Sequence, residues 1–215
     1  MTTYNDNLSQ YITDIFAVED SALKLAWEDT RKKGLPAISV RAEEGRFLQF
    51  LVRASHASKA VEIGTLGGFS GIWIARGLNP GGKLLSLEVE PRHAQVAREH
   101  IAAAGLQDTI EVRVGDAHQQ LVGLTKEGPF DFVFIDADKP GYPSYFDWAL
   151  NNLRLGGVIA AHNAFRGGDI LRNHHPDGDG SDLMDTFNRH VAQESRVIST
   201  IYPAGDGMLV AVKIS

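Results

Sequence analysis

No cysteine occurs among the 215 residues. Disulfides, thiolate nucleophiles and zinc–cysteine centres are therefore excluded. No apolar run approaches the roughly 20 residues that span a bilayer, so neither a membrane-spanning helix nor a membrane partner is expected. The stretch Met1-Thr2-Thr3-Tyr4-Asn5-Asp6 has no basic segment and no apolar one, so a signal peptide is not expected there. Positive charge is also scarce: 21 Lys and Arg stand against 27 Asp and Glu, a formal net charge of −6. Binding to nucleic acid usually needs a clustered basic face, and no such partner is expected. Internal repeats and low-complexity linkers are missing too. A cytoplasmic location follows as the default. What remains is ordinary in bulk, 43% hydrophobic and 22% charged, with enough chain for one domain and a substantial core.

From Lys59 onward, short β-branched runs alternate with helical patterns. The strands expected are Ala60–Ile63, Lys83–Glu88, Ile110–Val114, Phe130–Ile135, Gly157–Ala161, Val197–Tyr202 and Met208–Lys213. Helices are expected over Ser70–Gly77, Pro91–Ala104, Ala117–Leu124, Tyr142–Leu153 and Ser181–Glu194. Pro91 suits a first helical turn, and Gly105 suits a stop. This alternation implies crossover units and a mostly parallel sheet. Only about five residues, Pro203 to Gly207, separate the last two strands, which makes an antiparallel hairpin rather than a crossover. Ahead of the sheet, Tyr4 to Lys33 reads as helical, and so does Ala42 to Ser55, where Phe47, Leu48, Leu51 and Val52 fall at helical spacing. The chain thus reads as a single α/β domain over residues 1–215, with a helical extension over 1–58 and a sheet-bearing core over 59–215. The extension is placed to cover the sheet's active edge or to make a dimer contact.

Two strand ends concentrate the chemistry. The apolar run Phe132 to Ile135 stops at Asp136-Ala137-Asp138-Lys139, and Val158 to Ala161 stops at His162-Asn163. Ligands bind at the carboxyl ends of strands in open α/β sheets. A carboxylate, an imidazole, an amide oxygen and an amine gathered there suit metal binding and deprotonation of a substrate.

A third feature is Val61-Glu62-Ile63-Gly64-Thr65-Leu66-Gly67-Gly68-Phe69-Ser70, which reads as strand, glycine loop and helix start, with Ser70 as the cap. Glycines let the backbone approach a ligand closely. The spacing is not that of the dinucleotide fingerprint, so a pyrophosphate cradle is disfavoured. Glu62 would repel phosphate and suits a cationic ligand. Glu88, ending the next strand, is placed to accept from a ribose diol, and Gly115-Asp116-Ala117 to frame a purine.

With these residues in view, the chain resembles the cation-dependent O-methyltransferases that use S-adenosylmethionine, the family of the catechol and caffeoyl-CoA enzymes. The resemblance runs from Gly34-Leu35-Pro36-Ala37-Ile38-Ser39-Val40 through the glycine loop and Phe134 to Lys139. It continues through Tyr142-Pro143-Ser144-Tyr145, Leu155-Gly156-Gly157-Val158-Ile159 and Asn163 to Gly205-Asp206-Gly207. It implies a Rossmann-like class I methyltransferase fold: seven strands, mostly parallel, a C-terminal antiparallel hairpin and helices on both faces. It implies that Glu62 and the Gly64 backbone flank the methionine and ribose parts of S-adenosylmethionine, with Ser70 on the methionine carboxylate. Glu88 would hold the ribose, Asp116 and Ala117 the adenine, and Val40, Asp136 and Asp138 would line the same pocket, bordered by Tyr145. Lys139 stands at the family's base position. Asp136 stands at its first metal position, and a D-N pair is expected at the next strand end. A homodimer and a small hydroxylated substrate are implied as well.

The chain departs from that pattern at one place: His162-Asn163 replaces the Asp-Asn pair. Imidazole ligates transition metals well, whereas magnesium prefers oxygen. Three readings stay open. In the first, Asp136, His162 and Asn163 hold magnesium, manganese or a softer ion. In the second, metal binds weakly or not at all and His162 is a base or substrate contact. In the third, the protein binds the cofactor without methyl transfer. Arg166 to Asp182 is polar and glycine-rich, and is expected at the substrate mouth. His174, His175, Asp177 and Asp179 within it read as a solvated loop, and Trp148 as a packing residue.

Overall fold

The computed structural model describes residues 4–171 and 181–215. The four histidine and aspartate positions from 174 to 179 lie outside the described residues. Seven strands form one sheet: β1 (Lys59–Ile63), β2 (Lys83–Glu88), β3 (Ile110–Val114), β4 (Phe130–Ile135), β5 (Leu153–Ala161), β6 (Val197–Tyr202) and β7 (Met208–Lys213). Their order is β3-β2-β1-β4-β5-β7-β6. The first five pair in parallel. Strand β7 runs antiparallel to both β5 and β6, so the short Pro203–Gly207 connection makes the hairpin that its length dictates.

The strands are apolar on both sides because helices cover both faces. In β4, Phe132 and Phe134 pack into one cluster with Leu48, Ile72, Trp73 and Ala97. Val133 and Ile135, on the opposite face, join Leu121, Phe146 and Phe187. Each fully buried phenylalanine stabilises the fold by about 1.5–3 kcal/mol relative to an exposed one. One face is covered by α3 (Ala42–Ala54), α4 (Phe69–Gly77) and α5 (Pro91–Ala103), the other by α6 (Ala117–Leu124), α7 (Tyr142–Asn152) and α8 (Ser181–Gln193).

The amino-terminal helical region, expected over Tyr4 to Lys33, is made of two helices, α1 (Asp6–Phe16) and α2 (Ser21–Lys32). Asp20 forces the break: its side chain accepts from the Leu23 N–H at 3.0 Å and caps a new helix. Glu43 on α3 anchors α1 by accepting from Tyr4, Ser9 and Thr13 hydroxyls. Strand β5 starts four residues earlier than the pattern suggests, taking Leu153 from the end of α7. Ser70 is not the cap of α4; Gly68 occupies that position and Ser70 lies inside the first turn.

The register brings the strand ends level: Ile63 pairs with both Leu87 and Ile135, and Ile135 with Ala161. Gly64, Glu88, Asp136 and His162, one residue further on, therefore stand in a row. The chain order reverses between β1 and β4, which is where open α/β sheets form a binding crevice.

Candidate active site

A cavity of about 620 Å³ opens at this row of strand ends. Its walls include Val40, Gly64, Ser70, Glu88, Asp116, Ala117, Asp136, Asp138, Lys139, Tyr145 and Asn163. Most of the expected site residues thus share one hollow. Glu62 and His162 do not line it; each is buried one layer behind, at 0% and 5% exposure.

The loop after β1 approaches β4 closely. Gly64 has φ +97°, and a Cβ there would lie 2.0 Å from the Asp136 carbonyl oxygen, so only glycine fits. Glu88 fixes the loop by accepting from the Thr65 and Leu66 N–H groups at 3.2 and 2.8 Å. Behind the wall, Glu62 accepts from the Ser70 and Ser86 hydroxyls, both at 2.6 Å. Burial pushes the Glu62 carboxyl up to about 7, against the two hydroxyl bonds that favour the charged form. Glu62 therefore meets the cavity through Ser70 rather than directly.

Across the cavity, Asp116 caps α6 by accepting from Gln119 N–H at 3.0 Å. Asp138 caps the turn after β4, accepting from Gly141 N–H at 3.0 Å and from Tyr145 O–H at 2.8 Å. The Tyr145 ring stacks on His118 with centroids 4.6 Å apart, which makes a flat aromatic wall beside Ala117. Trp148 is half-buried and packs on Phe130 at the edge of the core.

The acidic end is tightly coupled. Lys139 Nζ lies 3.6 Å from Asp136 Oδ1 and donates to the Tyr142 hydroxyl at 2.6 Å and the Ala137 carbonyl at 3.1 Å. Burial lowers the lysine below its ordinary range, and Asp136 only partly offsets this. Burial alone would raise Asp136, but His162 and Lys139 hold it below the usual carboxylate range. His162 sits between two acids. Its Nε2 is 2.9 Å from Glu44 Oε1, and its Nδ1 is 3.4 Å from Asp136 Oδ2. Burial disfavours the charged ring, yet Asp136 and Glu44 outweigh it and raise His162 to about 10. Asn163, at φ +59°, donates Nδ2 to Asp206 Oδ2 at 2.8 Å.

Glu44, Tyr142 and Asp206 were not anticipated as site residues. Glu43-Glu44 reads in sequence as ordinary charge in a first helical turn. Nothing local says that it reaches a residue 118 positions away. Asp206 had a signal, the Gly205-Asp206-Gly207 turn, but no assigned partner.

A larger hollow, about 1070 Å³, lies toward the opposite strand ends, lined by Lys59, Lys83, Arg98 and Arg113 among others. These four cations are engaged by the protein itself. Lys59, Lys83 and Arg98 donate to the carbonyls of Glu127, Asp108 and Val112, and Arg113 pairs with Glu111 and Glu127. None of the strand-end acids reaches it, so the smaller cavity is the candidate site.

A family model described as O-methyltransferase matches residues 13–214. A catechol O-methyltransferase of Niastella koreensis is 45% identical over 168 residues, 77% of this chain and 76% of that protein. A catechol O-methyltransferase of Mycobacterium tuberculosis is 38% identical over 213 residues, 96% of this chain and 94% of that protein. Among solved structures, an O-methyltransferase from Bacillus cereus in complex with S-adenosylhomocysteine superposes with a TM-score of 0.89 at 39% identity, covering 96% of this chain and 97% of that one.

Proposed function

The chain belongs to the O-methyltransferase family, and from that premise we propose that it moves the methyl group of S-adenosylmethionine to one oxygen of a small molecule with catechol-like, vicinal hydroxyls. The observation that carries this reading is the single cavity in which Gly64, Ser70, Glu88, Asp116, Ala117 and Tyr145 meet Asp136, Lys139 and Asn163. A methyl-donor subsite and a proton-accepting subsite then share one wall.

When bound, the sulfonium supplies an already activated methyl group. An acceptor oxygen that takes this methyl group would have to give up its proton. The protein's task is alignment and proton removal. Glu88 and the loop that it pins would hold the ribose end, the Tyr145–His118 wall and the amino end of α6 would hold the adenine, and Ser70 would orient the methionine carboxylate. Val40 and Asp138 complete the donor wall. Glu62 keeps Ser70 in place. A phenol, with a pKa of about 10, stays protonated at neutral pH, so a base is needed. Lys139 suits that role because burial favours its neutral form, and the Tyr142 hydroxyl fixes Nζ.

The donor set at the acidic end fits a divalent ion. His162 Nδ1 is buried with no hydrogen-bond partner, and it faces a carboxylate. A lone pair opposite a carboxylate is unfavourable unless a cation lies between them. Among the described residues no three His, Cys, Asp or Glu side chains gather as a metal cluster; here two such residues, Asp136 and His162, are joined by an amide, Asn163. These three would hold the ion, and bound there it would stabilise the acceptor oxyanion and orient two adjacent hydroxyls. Without a metal, the ring's second proton fills the gap. The raised His162 therefore favours a second reading as well, methyl transfer without a metal.

The proposal extends to one catalytic domain over 1–215 with residues 1–58 as its extension, to a cytoplasmic location, and to a homodimer. The exposed apolar side chains Tyr11, Ile15 and Phe16 on α1 support the last. No helix among the described residues is long and apolar enough to cross a membrane. Calorimetric titration with S-adenosylmethionine, then mass spectrometry of a catechol panel with and without EDTA, tests the reading. Cofactor binding with no methylated product from any vicinal diol would leave only a silent binder.

A further inference from the structure

We propose that Glu44 is a positioning residue for His162: it accepts the Nε2 proton, turns Nδ1 toward Asp136, and so gives the acidic end a nitrogen donor that prefers Co²⁺ or Zn²⁺ over Mg²⁺. The use of such an ion in catalysis rests on the methyl-transfer reading; the ion preference itself does not.

Three observations converge on Glu44, and a fourth concerns Asn163 beside His162. Its Oε1 lies 2.9 Å from His162 Nε2, with both side chains almost fully buried. An ionised carboxylate only accepts hydrogen bonds, so Nε2 carries the proton and Nδ1 is the nitrogen left for a metal. The second oxygen, Oε2, accepts the Arg41 N–H at 2.8 Å, so the carboxylate is held at both ends and cannot swing away. Gly205 makes the space: at φ +59°, a Cβ there would lie 2.1 Å from Glu44 Oε1. Finally, the neighbouring Asp206 takes Asn163 Nδ2 and so assigns that amide's nitrogen away from the donor set. One turn between β6 and β7 thus supports both residues behind the strand end.

The physical consequence follows from outer-shell chemistry. A histidine that donates its remote N–H to a carboxylate has a fixed tautomer and ring orientation and is a more basic ligand; loss of such a partner weakens metal binding about ten- to hundredfold. Nitrogen donors suit zinc, cobalt and nickel, while magnesium demands oxygen and keeps its waters. His162 places a nitrogen where the family pattern has a carboxylate, and Glu44 holds that nitrogen in use.

The test uses the tag-free full-length protein and four forms: wild type, Glu44→Gln, His162→Asp and the double variant. Glu44→Gln keeps an oxygen for the Arg41 N–H and removes the charge, so the cap on α3 survives. Co²⁺ and Mg²⁺ binding are measured by calorimetry, and the visible absorption of bound Co²⁺ reports nitrogen ligation. A His162→Ala control subtracts ions bound elsewhere. Wild type is expected to bind Co²⁺ at least about tenfold more tightly than Mg²⁺, with Glu44→Gln losing about ten- to hundredfold in Co²⁺ affinity. His162→Asp narrows the preference by raising Mg²⁺ affinity and lowering Co²⁺ affinity, and adding Glu44→Gln to it costs no Mg²⁺ affinity. Equal losses from Glu44→Gln in both backgrounds would show a merely structural role and overturn the proposal. So would equal affinity of wild type for the two ions, or no ion bound at His162. Titration of S-adenosylmethionine into the same proteins reports separately on the functional reading. Cofactor binding without an ion preference overturns only the role of Glu44, whereas an ion preference without cofactor binding overturns only the functional reading.

Discussion

Lys139 gains its character from its surroundings. A lysine on a surface is charged at neutral pH and accepts no proton; one buried beside a hydroxyl is easier to discharge, even with Asp136 near it. Lys139→Met keeps the stem and deletes the proposed base. Turnover of a catechol is expected to fall about 10²- to 10⁴-fold, while affinity for S-adenosylmethionine stays within about twofold. Calorimetry beside single-turnover assays checks both, and an equal loss of cofactor binding would place Lys139 in the donor site instead. The lysine was legible in sequence because an apolar strand ends in Asp136-Ala137-Asp138-Lys139. Its Tyr142 partner was not, because the contact depends on how the turn after β4 enters α7.

Helices and turns set the cavity's walls. The start of α6 is fixed by Asp116, whose carboxylate satisfies the Gln119 N–H. Asp116→Ala is expected to cost about 1 kcal/mol of stability and also to weaken cofactor binding, because the same residue lines the cavity. A urea midpoint and a cofactor titration measure the two effects. A stability loss with unchanged affinity would reduce Asp116 to a cap. Element existence followed the sequence closely: the glycine loop, the Pro91 helix start and the short closing hairpin all have local causes. Boundaries moved where tertiary contacts compete. Asp20 splits the amino-terminal helical region by capping α2 and pairing with Arg76 at 2.6 Å, and β5 claims Leu153 because Phe130 pairs with it.

Global stability carries the signature of Glu62. Its raised value means that the folded chain holds a proton which the unfolded chain has already released, from the ordinary carboxylate range up to about 7. Stability therefore falls as pH rises through that window, and the full penalty, on the order of a few kcal/mol, is present above it. Glu62→Gln is expected to flatten the profile, with urea midpoints at pH 5 and pH 8 drawing together. An unchanged slope in the variant would assign the pH dependence to another group. The proton on Glu62 comes from burial, and the charge on His162 from Asp136 and Glu44 packed on either side of it; no local pattern encodes either.

The sequence by itself determined the parallel sheet, its antiparallel close and the row of chemical groups at the strand ends. Short continuous apolar runs alternating with helical patterns, and the connection lengths, permit few other topologies, and polar groups stranded at the end of an apolar run have only the sheet edge to occupy. Only the tertiary structure decided which of those groups face the cavity and which stand behind it. Glu62 and His162 look equivalent to their neighbours in sequence. The packing of Ser70 over one, and the meeting of α3 with the Gly205 turn around the other, place them one layer back. Glu44 is the extreme case: its partner is far away in the chain, so its contact exists only once three separate elements have packed together.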